Sequence, residues 1–232
     1  MSAWIPRVLL GLAVVGVIAA IYSISVGSGG PQPQDIGGVN DVQRIFGGIP
    51  QDGADLGSED AETTVTVFND IQCEPCAGWE IETIDPLVER YARPGDAQLE
   101  FRHFSLAPND TTLAAIAAEA AGKQARQWQY LDTFVRNIDV ASTKAVDEQF
   151  LREVAEAVPE LDTEQWLEDY RDPATEELVR DDAMLAVDLK LPAEPAVVVS
   201  GPGGQRQLIE TPSIDQIEAA IGQVSGSGSA SG

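Results

Sequence analysis

The sequence predicts an α/β domain in which a buried strand leads into a helix that begins with the only two cysteines of the chain. The β-branched run TTVTV at residues 63–67 is typical of a buried strand, and Cys73-Glu74-Pro75-Cys76 follows shortly after it. A second strand at residues 98–104 and a late hairpin flank a long segment whose apolar residues have helical spacing. These observations place a close cysteine pair at a strand–helix junction of a mixed fold.

The composition suits one folded domain with accessory segments. The chain has 232 residues, of which 44% are hydrophobic, so an ordinary core can form without disulfide crosslinks. A lone, closely spaced cysteine pair is then more typical of redox chemistry than of a structural framework. A structural zinc site needs four ligands, and the single histidine, His103, lies far from the cysteines in sequence. We therefore expect no metal and no other cofactor.

The charge balance is strongly acidic, with 38 Asp and Glu against 14 Lys and Arg and a formal net charge of -24. Such a surface repels phosphate groups, which argues against nucleic-acid partners and against adsorption to anionic lipid. Two interpretations of the charge stay open. The acidic residues either solvate the surface or form a face that steers basic partners.

The start of the chain predicts a membrane anchor. Residues 1–7 form a short cytoplasmic stub in which Arg7 is the only charged side chain, and residues 8–26 carry no charge. A helix over this range would span about 28 Å, close to the hydrocarbon thickness of a bilayer. Trp4 and Tyr22 lie near its ends, where aromatic rings favour the interface. We expect one uncleaved transmembrane helix with the bulk of the chain outside; the alternative is a cleaved signal peptide.

The remaining boundaries follow from composition. Residues 27–48, rich in Gly, Pro and Gln, predict a flexible linker, within which Val42, Ile45 and Phe46 suit a short helix docked on the domain. The domain itself is predicted over residues 49–224 and opens with turn-rich residues that suit a short hairpin. Residues 225–232, SGSGSASG, predict a flexible tail.

Helical spacing dominates the rest of the domain. A helix over residues 77–91 is predicted after the cysteines, with Pro86 as a kink or restart. An insertion over about residues 110–190 contains almost no strand signal. The helices predicted within it are at residues 110–125, 127–138, 147–158, 163–171 and 174–189. They are followed by a strand at residues 196–199, a return strand at 206–209 and a final helix at 214–224.

The cysteine pair has the features that thiol–disulfide exchange requires. A thiolate is the attacking species, and the N-terminus of a helix stabilises the negative charge of a cysteine placed there, here Cys73. Cys76, one turn later, is close enough to resolve a mixed disulfide, and Pro75 stiffens the ring. Glu74 opposes this arrangement, because its carboxylate is expected to raise the pKa of the neighbouring thiol and weaken its oxidising power.

A second element lies just before the strand at residues 196–199. The proline of Glu194-Pro195-Ala196 can hold a cis peptide bond and expose the preceding backbone for pairing with a substrate. The alternative is an ordinary proline at a strand entry. Ala196 and Trp79, which is near the dithiol, are candidate substrate-binding residues.

Residues 49–222 resemble the DsbA-like branch of the thioredoxin superfamily. The resemblance implies a thioredoxin-like fold with a helical insertion, with Cys73 as the exposed nucleophile, Cys76 as the resolving cysteine and Pro195 as a cis-proline facing them. His103 fits a structural Arg-His-Phe segment of the family. The segments that carry the resemblance are LGSEDAETTVTVFNDIQCEPC, IDPLVERYARPGDAQLEFRHFSLAP, QARQWQYLDTFVRN and PAEPAVVVSGPGG.

The chain departs from the family pattern at three places that affect oxidising strength. Strong oxidants of the family typically have Pro first between the cysteines, whereas this chain has Glu74. The residue before the proline is usually Thr or Val, and here it is Glu194. Val67 stands where many thioredoxin-fold proteins have a buried acid. The CEPC motif also resembles exported ResA-type reductases, which lack the helical block and usually have Trp where this chain has Gln72.

The sequence therefore predicts a membrane-anchored, extracytoplasmic thiol–disulfide oxidoreductase that exchanges disulfides with exported proteins. The resemblance implies reoxidation by a membrane partner of the DsbB or VKOR type. One alternative is an exported thioredoxin-like reductase in cytochrome c maturation or disulfide repair, which Glu74 and Glu194 favour. The other is a non-enzymatic tethered scaffold with an incidental disulfide.

Overall fold

A computed structural model of the chain describes residues 36–106, 112–138 and 146–226. The anchor predicted at residues 8–26, the linker up to residue 35 and the tail from residue 227 lie outside the described residues. Within the described ranges, no helix combines the length and the apolar character needed to cross a membrane.

The strands form one six-stranded sheet. In chain order they are β1 Gln51–Asp52, β2 Asp55–Leu56, β3 Thr64–Asn69, β4 Gln98–His103, β5 Ala196–Ser200 and β6 Arg206–Ile209. Their order across the sheet is β1-β2-β4-β3-β5-β6, so β3 is central, parallel to β4 and antiparallel to β5. Val67 of β3 lies opposite Phe101 on one side and Val197 on the other. The strand that precedes the cysteines is thus held from both sides.

The helices confirm the predicted order of elements. They are α1 Val39–Phe46, α2 Glu74–Leu87, α3 Thr112–Gly122, α4 Gln127–Val135, α5 Glu148–Ala157, α6 Thr163–Tyr170, α7 Pro173–Asp188 and α8 Ile214–Gly226. Helices α3 to α7 form the predicted insertion between β4 and β5. Pro86 lies in the last turn of α2, and a π-helical turn, Val88–Ala92, continues the helix beyond it. A 3₁₀ turn, Pro202–Gly204, joins β5 to β6.

Three of the acidic residues cap the N-termini of helices in the insertion. The side chains of Asp147, Asp162 and Asp172 each accept a hydrogen bond from a backbone N–H in the first turn of α5, α6 and α7, respectively. A carboxylate at this position satisfies an otherwise unpaired N–H group and interacts favourably with the helix dipole.

The sheet is buried on both faces, and the alternation of side chains along β3 decides which residue faces which core. Val65 and Val67 face the main core together with Phe101, whereas Phe68 belongs to a smaller cluster with Ala186 of α7. A strand covered on both faces is expected to be apolar at successive positions, which explains the run of buried residues before the cysteines.

Both ends of the domain extend further than the sequence predicted. Within the predicted linker, residues 39–46 form α1, which buries Val42, Ile45 and Phe46 in the main core, as the docked helix suggested by these three residues would. Residues 225 and 226 of the predicted tail belong to α8. The Ser225 hydroxyl lies 3.1 Å from the hydroxyl of Thr63 at the start of the central strand.

We predict that Phe46→Ala destabilises the domain by about 3–5 kcal/mol, the usual cost of truncating a buried phenylalanine to alanine. Phe46 is only 1% exposed and its ring stacks against Trp128 of α4, with ring centroids 6.2 Å apart. Denaturant unfolding measures the loss. Gln43→Ala, on the exposed side of α1, is the matched control and should change stability by less than about 0.5 kcal/mol. Equal effects of the two substitutions would show that α1 is not part of the folded core.

Candidate active site

The two cysteines lie where the central strand passes into α2. Cys73 is the residue before the first turn of α2 and has an extended backbone, with φ −74° and ψ 96°. The Cys76 N–H donates to the Cys73 carbonyl oxygen at 2.9 Å, and the two sulfur atoms form a disulfide across Cα atoms 5.2 Å apart. Cys73 is half-buried, whereas Cys76 is only 5% exposed. A substrate can therefore reach the disulfide from the side of Cys73.

A turn centred on Asp70 sets the direction in which the chain enters this helix. The buried Asp70 carboxylate accepts a hydrogen bond from the Gln72 N–H at 2.8 Å, and its carbonyl oxygen accepts one from the Cys73 N–H at 3.1 Å. An aspartate that bonds the backbone two residues later stabilises a tight turn. The turn leaves Glu74 and Pro75 exposed in the first turn of α2.

A groove of about 530 Å³ opens beside the disulfide. The Glu194–Pro195 peptide bond is cis, as the resemblance implies, and its loop forms one wall of the groove. The structure thus brings together six of the residues that the sequence analysis singled out. The groove is lined by Cys73, Pro75, Cys76, Trp79, Leu106, Ala193, Glu194, Pro195, Glu210, Thr211 and Pro212.

Two predicted site residues do not line the groove. Ala196 is fully buried and packs with Phe68 in the smaller core, so its side chain has no access to a substrate. The prediction that Ala196 binds substrate is wrong for its side chain, because the alternation along β5 turns it inward. Glu74 lies on the exposed surface of the first helical turn and is absent from the groove lining.

Trp79 forms a wall of the groove and is partly buried. Its indole N–H donates to the carbonyl oxygen of Pro212, in the loop between β6 and α8. This bond ties α2 to the loop between β6 and α8, and both Trp79 and Pro212 line the groove.

Glu194 connects the loop of the cis-proline to the segment after β4. Its carboxylate accepts a hydrogen bond from the Leu106 N–H at 2.9 Å, which holds the exposed side chain of Leu106 at the rim. Burial, together with the nearby negative charge of Asp70, raises the pKa of Glu194 against the opposing effect of that hydrogen bond. The groove therefore contains a carboxylate that is partly desolvated and faces other acids.

A buried carboxyl group, not predicted from the sequence, lies one turn beyond Cys76. Glu80 is 4% exposed, and its carboxylate accepts a hydrogen bond from the side-chain amide of Asn69 at 2.9 Å. Residues four apart lie on the same face of a helix, so Glu80 follows the buried Cys76 inward. The signal available in the sequence was that Glu80 follows Cys76 by four residues. Val67 on β3 is also buried, so the buried acid here comes from the helix and not from the strand.

The environment of Glu80 favours its neutral form. Burial is the main cause that raises its pKa to about 8, and the nearby Asp132 adds to it, while the Asn69 hydrogen bond opposes the shift. Burial and the charge of Asp85 likewise raise the pKa of Asp132 to about 6. Arg136 pairs with both aspartates, at 2.8 Å to Asp132 and 2.6 Å to Asp85, and leaves Glu80 without a cation in the described part of the chain.

His103 lies away from the groove, in a buried polar cluster between β4 and the insertion. Its Nε2 is 3.1 Å from a Glu119 oxygen, and its backbone N–H donates to Asp182 at 3.0 Å. The ligand atoms of these three residues lie within 4.8 Å of one another, a spacing that could hold a cation. Each carboxylate already has a protein partner, since Gln127 donates to Glu119 and Arg102 to Asp182. The cluster thus joins the sheet to α3 and α7.

The comparisons with known proteins agree with this fold and site. A family model described as thioredoxin matches residues 51–222. The probable disulfide bond formation protein D of Bacillus anthracis is 30% identical over 169 residues, which cover 72% of this chain and 75% of that protein. The protein of the same description from Bacillus cereus is also 30% identical and is covered over 76% of its length.

Solved structures show the same fold. Wolbachia pipientis α-DsbA1 superposes with a TM-score of 0.63 at 17% identity, over 75% of this chain and 91% of that one. Oxidised BdbD from Bacillus subtilis superposes with a TM-score of 0.60 at 20% identity, over 74% of this chain and 91% of that one. The chain belongs to the DsbA-like branch of the thioredoxin superfamily. It is a thiol–disulfide oxidoreductase, and the thioredoxin-like fold with a helical insertion is confirmed.

We predict that Glu80→Gln flattens the pH dependence of stability between about pH 5 and pH 8. The folded protein binds the Glu80 proton with a pKa near 8, and the unfolded chain binds it near 4.5. The contribution of this proton is therefore present in full below about pH 4.5 and is lost as the pH rises through 8. Each pKa unit corresponds to about 1.4 kcal/mol, so the wild type should lose a few kcal/mol that the variant keeps.

Denaturant unfolding of the oxidised protein across this pH range measures the slope. Asp132 shifts in the same direction, so some slope should persist at the acidic end in both proteins. Glu82→Gln makes the same chemical change at an exposed position of α2 and should leave the slope unaltered. An unchanged slope in Glu80→Gln would contradict a protonated, buried Glu80.

Proposed function

We propose that the protein is a membrane-anchored, extracytoplasmic enzyme that exchanges disulfides with exported proteins, in the direction of introducing them. The observation that carries the proposal is a disulfide with one accessible and one buried sulfur at the edge of a groove. The relatives described as probable disulfide bond formation proteins support this direction.

The exchange proceeds in two steps that balance electrons and protons. A substrate thiolate attacks the Cys73 sulfur, a mixed disulfide forms, and the Cys73–Cys76 bond breaks with Cys76 leaving as a thiolate. A second substrate thiolate then attacks the substrate sulfur of the mixed disulfide and releases Cys73 as a thiolate. The substrate loses two electrons and two protons, and the enzyme dithiol gains them.

Cys76 is the cysteine whose proton has no direct route to solvent. It is 5% exposed, and the buried carboxyl group of Glu80 lies one helical turn away on the same face. A carboxyl with a pKa near 8 holds its proton at neutral pH and can give it to the departing thiolate. The same group can take the proton back when Cys76 attacks a mixed disulfide.

Repeated turnover in this direction requires an oxidant for the reduced dithiol. A membrane protein of the DsbB or VKOR type, which passes electrons to a quinone, would supply that oxidant. An anchor at residues 8–26, with Arg7 on the cytoplasmic side, would hold the domain outside the membrane near such a partner.

A second candidate, an exported reductase, is favoured by the charges around the dithiol. Asp70, Glu74 and Glu194 are negative groups around the half-buried Cys73. Negative charge disfavours a thiolate, and a less stable thiolate makes the disulfide a weaker oxidant. The reduction potential of the dithiol separates the two directions of electron flow.

We predict a reduction potential between that of thioredoxin, about −270 mV, and that of the strongest DsbA oxidants, about −120 mV. Glu74→Gln should raise it by about 10–30 mV, because removing one nearby charge stabilises the thiolate and 30 mV corresponds to about 1.4 kcal/mol. Equilibration with glutathione buffers measures both values, with Glu82→Gln as the control. A wild-type potential near that of thioredoxin would favour the reductase and exclude the oxidising direction.

We predict that Cys76→Ser accumulates reducible mixed disulfides with exported proteins through Cys73. The substitution removes the resolving thiol and leaves the accessible sulfur able to react. Non-reducing gels followed by mass spectrometry identify the adducts, and Cys73→Ser should form almost none. The absence of adducts from Cys76→Ser in cells would contradict disulfide exchange with exported proteins.

The protein and its adducts should sediment with membranes, and their recovery in the soluble fraction would exclude the anchor.

A further inference from the structure

The groove beside the disulfide combines an apolar lining with acidic walls. Its apolar lining includes Trp79, Pro195 and Pro212. Leu106, which also lines the groove, is 57% exposed within the described part of the chain. A groove of this kind fits an extended segment of an unfolded chain and offers burial to apolar side chains that flank a cysteine.

The charged groups of the groove all have the same sign. Glu194 lies in the cis-proline loop just before β5, and Glu210 lies just after β6, the strand paired with β5. Asp70 is close enough to Glu194 to raise its pKa. Among the described residues that line the groove there is no Lys or Arg.

The acids of the groove have no cationic partner in the described ranges of the chain. Elsewhere many surface acids are paired, as Glu218 is with Arg90 and Glu148 is with Arg171. Within the described residues, Glu194 accepts one hydrogen bond, from the Leu106 N–H, and Glu210 is exposed. Carboxylates that share a groove without a cation are stabilised when one enters.

We propose that the groove selects unfolded substrate segments that carry an arginine or lysine next to the reacting cysteine. This inference rests on the proposed disulfide exchange at Cys73 and specifies its substrate class. The basic side chain lies between Glu194 and Glu210, while neighbouring apolar side chains cover Leu106 and Trp79. The same cation offsets the negative charges around Cys73 while the mixed disulfide forms.

A contact between the basic side chain and the groove acids can be distinguished from electrostatic attraction to the negatively charged protein as a whole. The net charge of -24 steers any basic peptide towards the protein at low salt, wherever it binds. A local contact makes selectivity depend on the groove acids and not on an equal charge placed elsewhere. Glu177 of α7 is exposed and outside the groove lining, so Glu177→Gln is the control with the same change of charge.

The test measures how fast the oxidised full-length protein, in detergent, oxidises reduced two-cysteine peptides that differ only in an Arg, Ser or Glu beside the first cysteine. We expect the Arg peptide to react about tenfold faster than the Glu peptide at low salt. A partly exposed charge pair accounts for about two- to fivefold, so Glu210→Gln should reduce the ratio by that factor. Glu210→Lys should lower the ratio further, by about the square of that factor, and Glu177→Gln should leave it unchanged.

Screening provides a second readout, because the Debye length falls to about 3 Å at about 1 M salt and the ratio should shrink accordingly. Equal rates for the three peptides, with turnover intact, would overturn this inference and leave disulfide exchange standing. The inference would also be overturned if neither Glu210 variant changed the ratio of the Arg-peptide rate to the Glu-peptide rate, or if Glu177→Gln lowered that ratio equally. Failure of the oxidised protein to react with any peptide would instead overturn the proposed function.

Discussion

The junction between β3 and α2 is the constraint on which the rest of the structure depends. The central strand is paired on both sides and covered on both faces, so its end point is fixed in space. The Asp70 turn then starts α2 so that Cys73 is accessible and Cys76 is buried. A helix started one residue earlier or later would turn both sulfur atoms by about 100° around the helix axis and so change which parts of the disulfide are accessible.

Acidic groups surround this junction at two depths, with different consequences. Inside, burial keeps Glu80, one helical turn from Cys76, largely neutral at neutral pH. Outside, Glu194 and Glu210 line the groove beside the disulfide. The groove acids, unlike the neutral Glu80, disfavour extra negative charge at the dithiol. The fold of a thiol–disulfide oxidoreductase is thus combined with acidic surroundings at the reactive pair.

Sequence patterns predicted the elements well where the local signal and the tertiary environment agree. The alternation at β4, the apolar run at β5 and the helix predicted at residues 147–158 each appear in the structure at nearly the predicted residues. Composition misled the boundary at α1, because Gly-rich residues surround a helix whose three apolar side chains have their partners far along the chain. Proximity to Pro195 in sequence does not reveal which face of β5 a side chain occupies, so the burial of the Ala196 side chain was not predicted.

The sequence by itself determined the reactive pair, its place at a strand–helix junction, the helical insertion and the class of chemistry, since these depend on spacing and local pattern. Only the tertiary structure decided the surroundings of the acidic groups. Glu194 was recognised from its place before Pro195, whereas Glu80 and Glu210 were not predicted. Folding buries Glu80 one helical turn from Cys76 and brings Glu194 and Glu210 into the lining of one groove. Burial and the proximity of other charged groups set the pKa of an acidic side chain, and both are properties of the folded chain.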